Sequence, residues 1–89
     1  MIICAAVRSV VNGEKNVFKV HRHGDFFLWM KQLHCNYNKA EVESGFIDWD
    51  EVNRIERFVS REEAYQIAKQ CRQITETDTP GELFSEDLY

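Results

Sequence analysis

Ser9-Val10-Val11-Asn12-Gly13-Glu14-Lys15-Asn16-Val17 is the stretch that decides the fold. Asn-Gly between two β-prone runs is the strongest short-range hairpin signal, because a type I′ turn needs positive φ at both central residues and these two tolerate it best. The run before the turn, Ile2 to Val11, and the run after it, about Glu14 to Arg22, read as its two strands. A two-residue turn sets Val7 opposite Phe18, Ala5 opposite Val20 and Ile3 opposite Arg22. One face of the hairpin is then Ile3, Ala5, Val7, Phe18 and Val20, which is core. The other holds Cys4, Ala6, Arg8, Val10, Val17, Lys19, His21 and, at its end, His23. Half wet and half apolar, it suits a ligand or a second subunit as well as plain solvent.

Working outward, Gly24-Asp25 ends the second strand, and Asp25 is predicted to cap a helix over about Phe26 to Cys35. Phe26, Trp29, Met30 and Leu33 recur at i, i+3, i+4 and i+7, one apolar stripe that places Trp29 in the core. Phe27 and Leu28 widen it beyond what one sheet face needs, so this helix is either deeply buried or covered by a partner. Asn36 to Lys39 reads as a loop, followed by a second hairpin of Val42 to Trp49 and Arg54 to Val59 turning through Asp50 to Asn53. Ser60 and Glu63 then form a capping box for a helix whose stripe is Ala64, Ile67, Ala68 and Cys71. The order is β-β-α-β-β-α: a small single α+β domain of antiparallel hairpins and two helices over residues 1–75. Residues 76–89 follow as an acidic tail.

The 89 residues carry a net charge of −4, unevenly spread. All eleven Lys and Arg lie in residues 1–72 against ten acids, whereas residues 73–89 hold five acids and no base. A balanced body of this kind lacks the footprint of sequence-independent DNA binding. No run approaches the roughly 20 apolar residues that span a bilayer, and the N-terminal run lacks the basic flank of a signal peptide. Three cysteines, Cys4, Cys35 and Cys71, with no CxxC spacing, fit a reduced cytoplasmic setting better than a disulfide framework. Cys4 and Cys71 read as packed and inert. His21-x-His23 with Cys4 is too small a ligand set for zinc, so no metal is expected, and no cofactor fingerprint occurs.

Five stretches together carry a family resemblance: Arg22-His23-Gly24-Asp25, Gly45-Phe46, Arg57-Phe58-Val59-Ser60-Arg61-Glu62-Glu63-Ala64, Gln73-Ile74 and Leu83-Phe84-Ser85-Glu86-Asp87-Leu88-Tyr89. On these the chain resembles a group of small proteins of tailed phages and prophages, mostly without an assigned activity. The Asp48 to Glu56 connection is longer than that pattern, and Val20 stands where it has glycine. The resemblance implies a protein working in the host cytoplasm, and proteins of this size and origin often counter host defence by sequestering a nucleotide signal or blocking a host protein.

Three functional readings follow. The first is a non-enzymatic binder of a nucleotide-like, phosphate-bearing small molecule, with Arg22, His23, Arg57 and Arg61 holding charge and Trp49 stacking the base. The second is an inhibitor that binds a host defence protein through the wide first helix and the tail, Ser85, Glu86, Asp87 and Tyr89. The third, an enzyme using His23 with Asp25 on a phosphoester, lacks a nucleophile or second base. Because Arg22, Arg57 and Arg61 call for carboxylate partners, the tail is expected to dock, with Leu83, Phe84, Leu88 and Tyr89 as apolar anchors. A domain this small also favours a homo-oligomer.

Overall fold

The computed structural model describes residues 1–33, 37, 41–74 and 81–88. Four strands, β1 (Ile2–Val11), β2 (Glu14–Val20), β3 (Glu43–Asp50) and β4 (Ile55–Ser60), form one antiparallel sheet in the order β2-β1-β3-β4. Two ten-residue helices, α1 (His23–Gln32) and α2 (Arg61–Gln70), pack on it, giving the element order β-β-α-β-β-α of an α+β domain. No helix among the described residues is long and apolar enough to cross a membrane.

The first hairpin forms as its turn chemistry dictates. Asn12 and Gly13 both have positive φ, 52° and 83°, and the register pairs Val7 with Phe18 and Ala5 with Val20. β2 stops at Val20, however, so Ile3 and Arg22 do not pair, and His21 and His23 do not share a strand face. A register shift between Ile2 and Cys4 moves the alternation by one residue. A one-residue slip exchanges the two faces, so Ile2 is buried in the core and Ile3, expected there, is exposed. The Gln73 side chain closes the irregularity: its Oε1 accepts from the Ile2 N–H at 2.8 Å and its Nε2 donates to the Ile2 carbonyl at 2.7 Å.

Both helices lie on one face of the sheet. Ala5, Val7, Val20, Phe46 and Val59 from the strands meet Phe26 and Met30 of α1 and Ala64 and Ala68 of α2. The alanines let α2 sit close to the sheet, and Ser60 caps it by accepting from the Glu63 N–H at 3.2 Å. At the second hairpin, the Asp50 carboxylate accepts from the N–H groups of Val52 and Asn53 and from the Asn53 side chain, the local bonding that favours Asp in turns.

No described element packs on the opposite face, made by Cys4, Ala6, Arg8 and Val10 of β1 with Glu43, Gly45, Ile47 and Trp49 of β3, flanked by Lys15, Val17, Lys19, Glu56 and Phe58. Gly45 has a steric role there: a Cβ would stand 2.2 Å from the Val59 carbonyl oxygen and 2.5 Å from the Phe58 ring. Its absence lets Phe58 lie over the strand, with the Arg8 guanidinium 4.5 Å from the ring centroid and ion-paired to Glu43. Lys19 and Glu56, on the two outer strands, are ion-paired at 2.5 Å. Outer strands of a flat four-stranded sheet stand roughly 14 Å apart, so this sheet coils about the Lys19–Glu56 diagonal. Ala6 and Ile47 are accordingly buried without a helix above them.

Candidate functional site

Arg22–Asp25, Gly45, Arg61 and Leu83-Phe84 meet at the starts of the two helices. α1 begins at His23, not Phe26, and its N-cap is Arg22. Asp25, expected as the cap, is the third helical residue and accepts from the Arg22 N–H at 3.2 Å, where a carboxylate still faces the positive end of the helix. The His23 ring is thereby turned inward, edge-on to Phe46 at 5.1 Å, with Nε2 2.7 Å from the Gly45 carbonyl oxygen. A carbonyl only accepts, so Nε2 carries the hydrogen and Nδ1 presents its lone pair to the Arg61 guanidinium, 3.4 Å away. Burial lowers the His23 pKa below its ordinary value; the Gly45 bond opposes this, Arg61 adds to it, and Glu86 opposes it. The lowered pKa favours the neutral imidazole, held by the Gly45 carbonyl.

Arg61 connects this point to the C-terminal segment. It donates to the Leu83 carbonyl at 3.0 Å, its own carbonyl accepts from the Leu83 N–H at 3.0 Å, and its guanidinium lies 4.6 Å from the Phe84 ring centroid. The sequence suggests that an arginine at the first position of a helix seeks a carboxylate; Arg61 takes a carbonyl and an aromatic ring instead. Leu83 and Ser85 are buried. Asp87 folds back on its own 3-10 turn, Ser85–Asp87, accepting from the Phe84 N–H at 2.9 Å, as Asp25 does on Arg22. Glu86 is exposed. Tyr89, with Glu76, Asp78, Cys35 and the Pro80 linker position, lies outside the described residues.

Arg57 sits elsewhere, on an open groove of about 880 Å³ between the β3–β4 hairpin and the end of α2, lined also by Asp48, Asp50, Ile55, Ile67 and Gln70; Trp49 borders the groove from a register position whose side chain belongs to the opposite sheet face. Arg57 donates to Asp48 at 3.0 Å, and the Met1 α-amino group reaches the same carboxylate at 2.7 Å. Burial pushes the Asp48 pKa up, but the hydrogen bonds from Met1 and Arg57 outweigh it and hold the pKa below the usual value. The four expected phosphate-binding side chains are therefore divided: Arg22, His23 and Arg61 lie at the helix starts, Arg57 across the domain. Gly45, Gln73 and Asp48 were missed as organising residues, although glycine inside a strand is a recognisable sign of close approach. Cys71, expected to pack, is exposed, and Cys4 is half-buried, its thiol pushed up in pKa by burial. Among the described residues no group of three or more His, Cys, Asp or Glu side chains could hold a metal ion.

The other departure is α1. Phe26 and Met30 are buried, but Phe27 is 44% exposed, Leu28 52%, Trp29 40% and Leu33 67%. Trp29, expected in the core, faces outward because the sheet beneath α1 is already covered by Phe26, Met30 and Phe18.

Taken together, the fold and these contacts define a small two-layer α+β protein whose C-terminal segment is fastened across the starts of its helices. A family model described as Phage T4 y16D protein matches residues 1–89. The chain belongs to that family of phage proteins. No curated protein and no solved structure matched it.

Proposed function

We propose that this phage protein acts by binding a host defence protein and occluding it, with the outward face of α1 and the neighbouring Glu86 corner of the C-terminal segment as the contact surface. The observation that carries the reading is the exposure of Phe27, Leu28, Trp29 and Leu33 on a helix whose inner side is already satisfied. Trp29 and Leu33, four residues apart, share one side of the helix; exposed apolar side chains that join in this way mark interaction sites, helices present such anchors to grooves on partners, and tryptophan is enriched where binding energy concentrates. A photo-crosslinking residue at Leu28 or Glu86, in host cells expressing the full chain, should give an adduct with one host protein, whereas the same residue at Gln66 on α2 should not. Equal adducts from all three positions would remove the support for this surface.

A second reading, capture of a nucleotide-like phosphate ester, is favoured by one observation: Arg57 lines an open groove of about 880 Å³. Against it, Arg57 is engaged by Asp48, and His23 and Arg61 are engaged with Gly45 and Leu83. Equilibrium dialysis against mono- and cyclic nucleotides separates the two: retention that is lost in Arg57→Ala would favour the groove.

A further inference from the structure

We propose that Asn12, at the tip of the first hairpin, is a site of spontaneous covalent modification, converted by water to aspartate and isoaspartate through a cyclic imide with Gly13. Asparagine is a chemically labile residue, and the structure separates Asn12 from the other described asparagines. Asn16 lies within β2, donates through Nδ2 to the Glu14 carbonyl at 3.3 Å and is followed by the β-branched Val17. Asn53 donates through Nδ2 to the Asp50 carboxylate at 2.8 Å and is followed by Arg54. Asn12 and Gly13 are both exposed, and among the described residues neither the Asn12 carboxamide nor the Gly13 N–H has a hydrogen-bond partner. Gly13 has no Cβ to shield its nitrogen, and even a Cβ built there would meet nothing within 4 Å.

The chemistry needs only water. The Gly13 backbone nitrogen gives up its proton and attacks the Asn12 Cγ; the Cγ–Nδ2 bond breaks, ammonia leaves with that proton, and a five-membered succinimide closes. Water then opens the ring at one of its two carbonyl carbons. Opening at Cγ gives aspartate and restores the original main chain. Opening at the other carbonyl gives isoaspartate, whose main chain runs through Cβ and Cγ and is longer by one methylene. The two products differ in what they do to the fold. Aspartate tolerates the positive φ of 52° held by Asn12, so it keeps the turn. The turn is only two residues long and closes on the Val11–Glu14 pair, from which the register runs to Ala5–Val20. Loop length fixes the register of a hairpin, so a methylene inserted there disturbs the pairing that places Val7 and Val20 in the core. Either product also adds a negative charge beside Glu14.

Peptide mapping of the full chain, held folded for weeks at about pH 8.5 and 37 °C, tests the proposal. Trypsin releases Ser9 to Lys15 as one peptide with Asn12 as its single asparagine. That peptide should gain about 1 Da, the mass change of an amide becoming an acid, and split into an aspartate and an isoaspartate form. The peptides holding Asn16 and Asn53 should stay unchanged over the same interval. Gly13→Ala, whose methyl crowds the attacking nitrogen, should slow the gain several-fold; a loosened turn would speed the reaction, so slowing cannot come from misfolding. The isoaspartate fraction of the intact protein should melt below Asn12→Asp, which carries the same charge on an unaltered main chain. No mass gain in the Asn12 peptide, a gain that comes first at Asn16 or Asn53, an undiminished rate in Gly13→Ala, or an isoaspartate form that melts with Asn12→Asp would each overturn it.

Discussion

α1 and α2 are equal in length and lie side by side on one sheet face, yet they are finished differently. α2 buries Ala64 and Ala68 and turns Glu62, Glu63, Gln66, Lys69 and Gln70 to water. It is capped by Ser60 and fastened by the C-terminal segment through Arg61 and Leu83. α1 buries Phe26 and Met30 and turns Phe27, Leu28 and Trp29 to water. The inner stripe of each helix answers to the sheet. The outer side of α2 answers to solvent, and that of α1 fits a surface still to be covered. The two helices thus differ in what their outer sides expose, and under the proposed function that difference divides stability from binding, a division each half of which can be tested.

The largest effect falls on the side of α2. Leu83→Ala removes a fully buried side chain from the point where the C-terminal segment meets α2, and should cost about 2–5 kcal/mol in denaturant melts. A loss under about 1 kcal/mol would mean that α2 does not depend on the segment. Ser60→Ala should cost about 0.5–2 kcal/mol through the lost cap, with the fold retained in circular dichroism; a melt that matches the native protein would break the assignment of Ser60 as the cap.

The junction of the two helices should be acid-sensitive. The His23 pKa is lower in the folded protein than its ordinary 6.5, so below that value the unfolded chain binds protons preferentially. Stability from this residue is complete above about pH 6.5 and declines as pH falls through the interval beneath it. His23→Gln, which keeps a donor for the Gly45 carbonyl, should flatten that decline in melts between pH 7 and 5. An unchanged slope would place the titration elsewhere. Smallest of all is the expected stability effect on α1: Leu28→Ser should change the melt by no more than about 0.5 kcal/mol while abolishing the host-protein adduct formed from Glu86. A large destabilisation would show that α1's outer side is structural after all and erase the contrast between the helices.

The hairpins and both helices were legible because their signals are local. Asn12-Gly13 satisfies a turn by itself, Ser60 meets an N–H three residues away, and the spacing of Ala64 and Ala68 needs only helical geometry. Ile3 and Trp29 were misread because their burial is set by distant residues: a register irregularity against β3 turns Ile3 out, and Phe26 and Met30 fill the space under α1 before Trp29 can. The candidate binding residues were less legible still. Arg22, His23, Arg57 and Arg61 share a charge type, and no spacing reveals that Asp48, Gly45 and Leu83, 9, 22 and 22 residues away from Arg57, His23 and Arg61, engage three of them.

By itself, then, the sequence determined the element order, the first hairpin turn and the α2 cap, all of which rest on contacts within a few residues, and the resemblance to small phage proteins. Only the tertiary structure decided that the His23 ring is buried against Phe46 and bonded to Gly45, that Arg61 closes on a carbonyl, and that Phe27, Leu28 and Trp29 are exposed. Those outcomes depend on which groups reach a partner first when distant segments pack, and a side chain satisfied inside the fold is no longer offered to anything outside it.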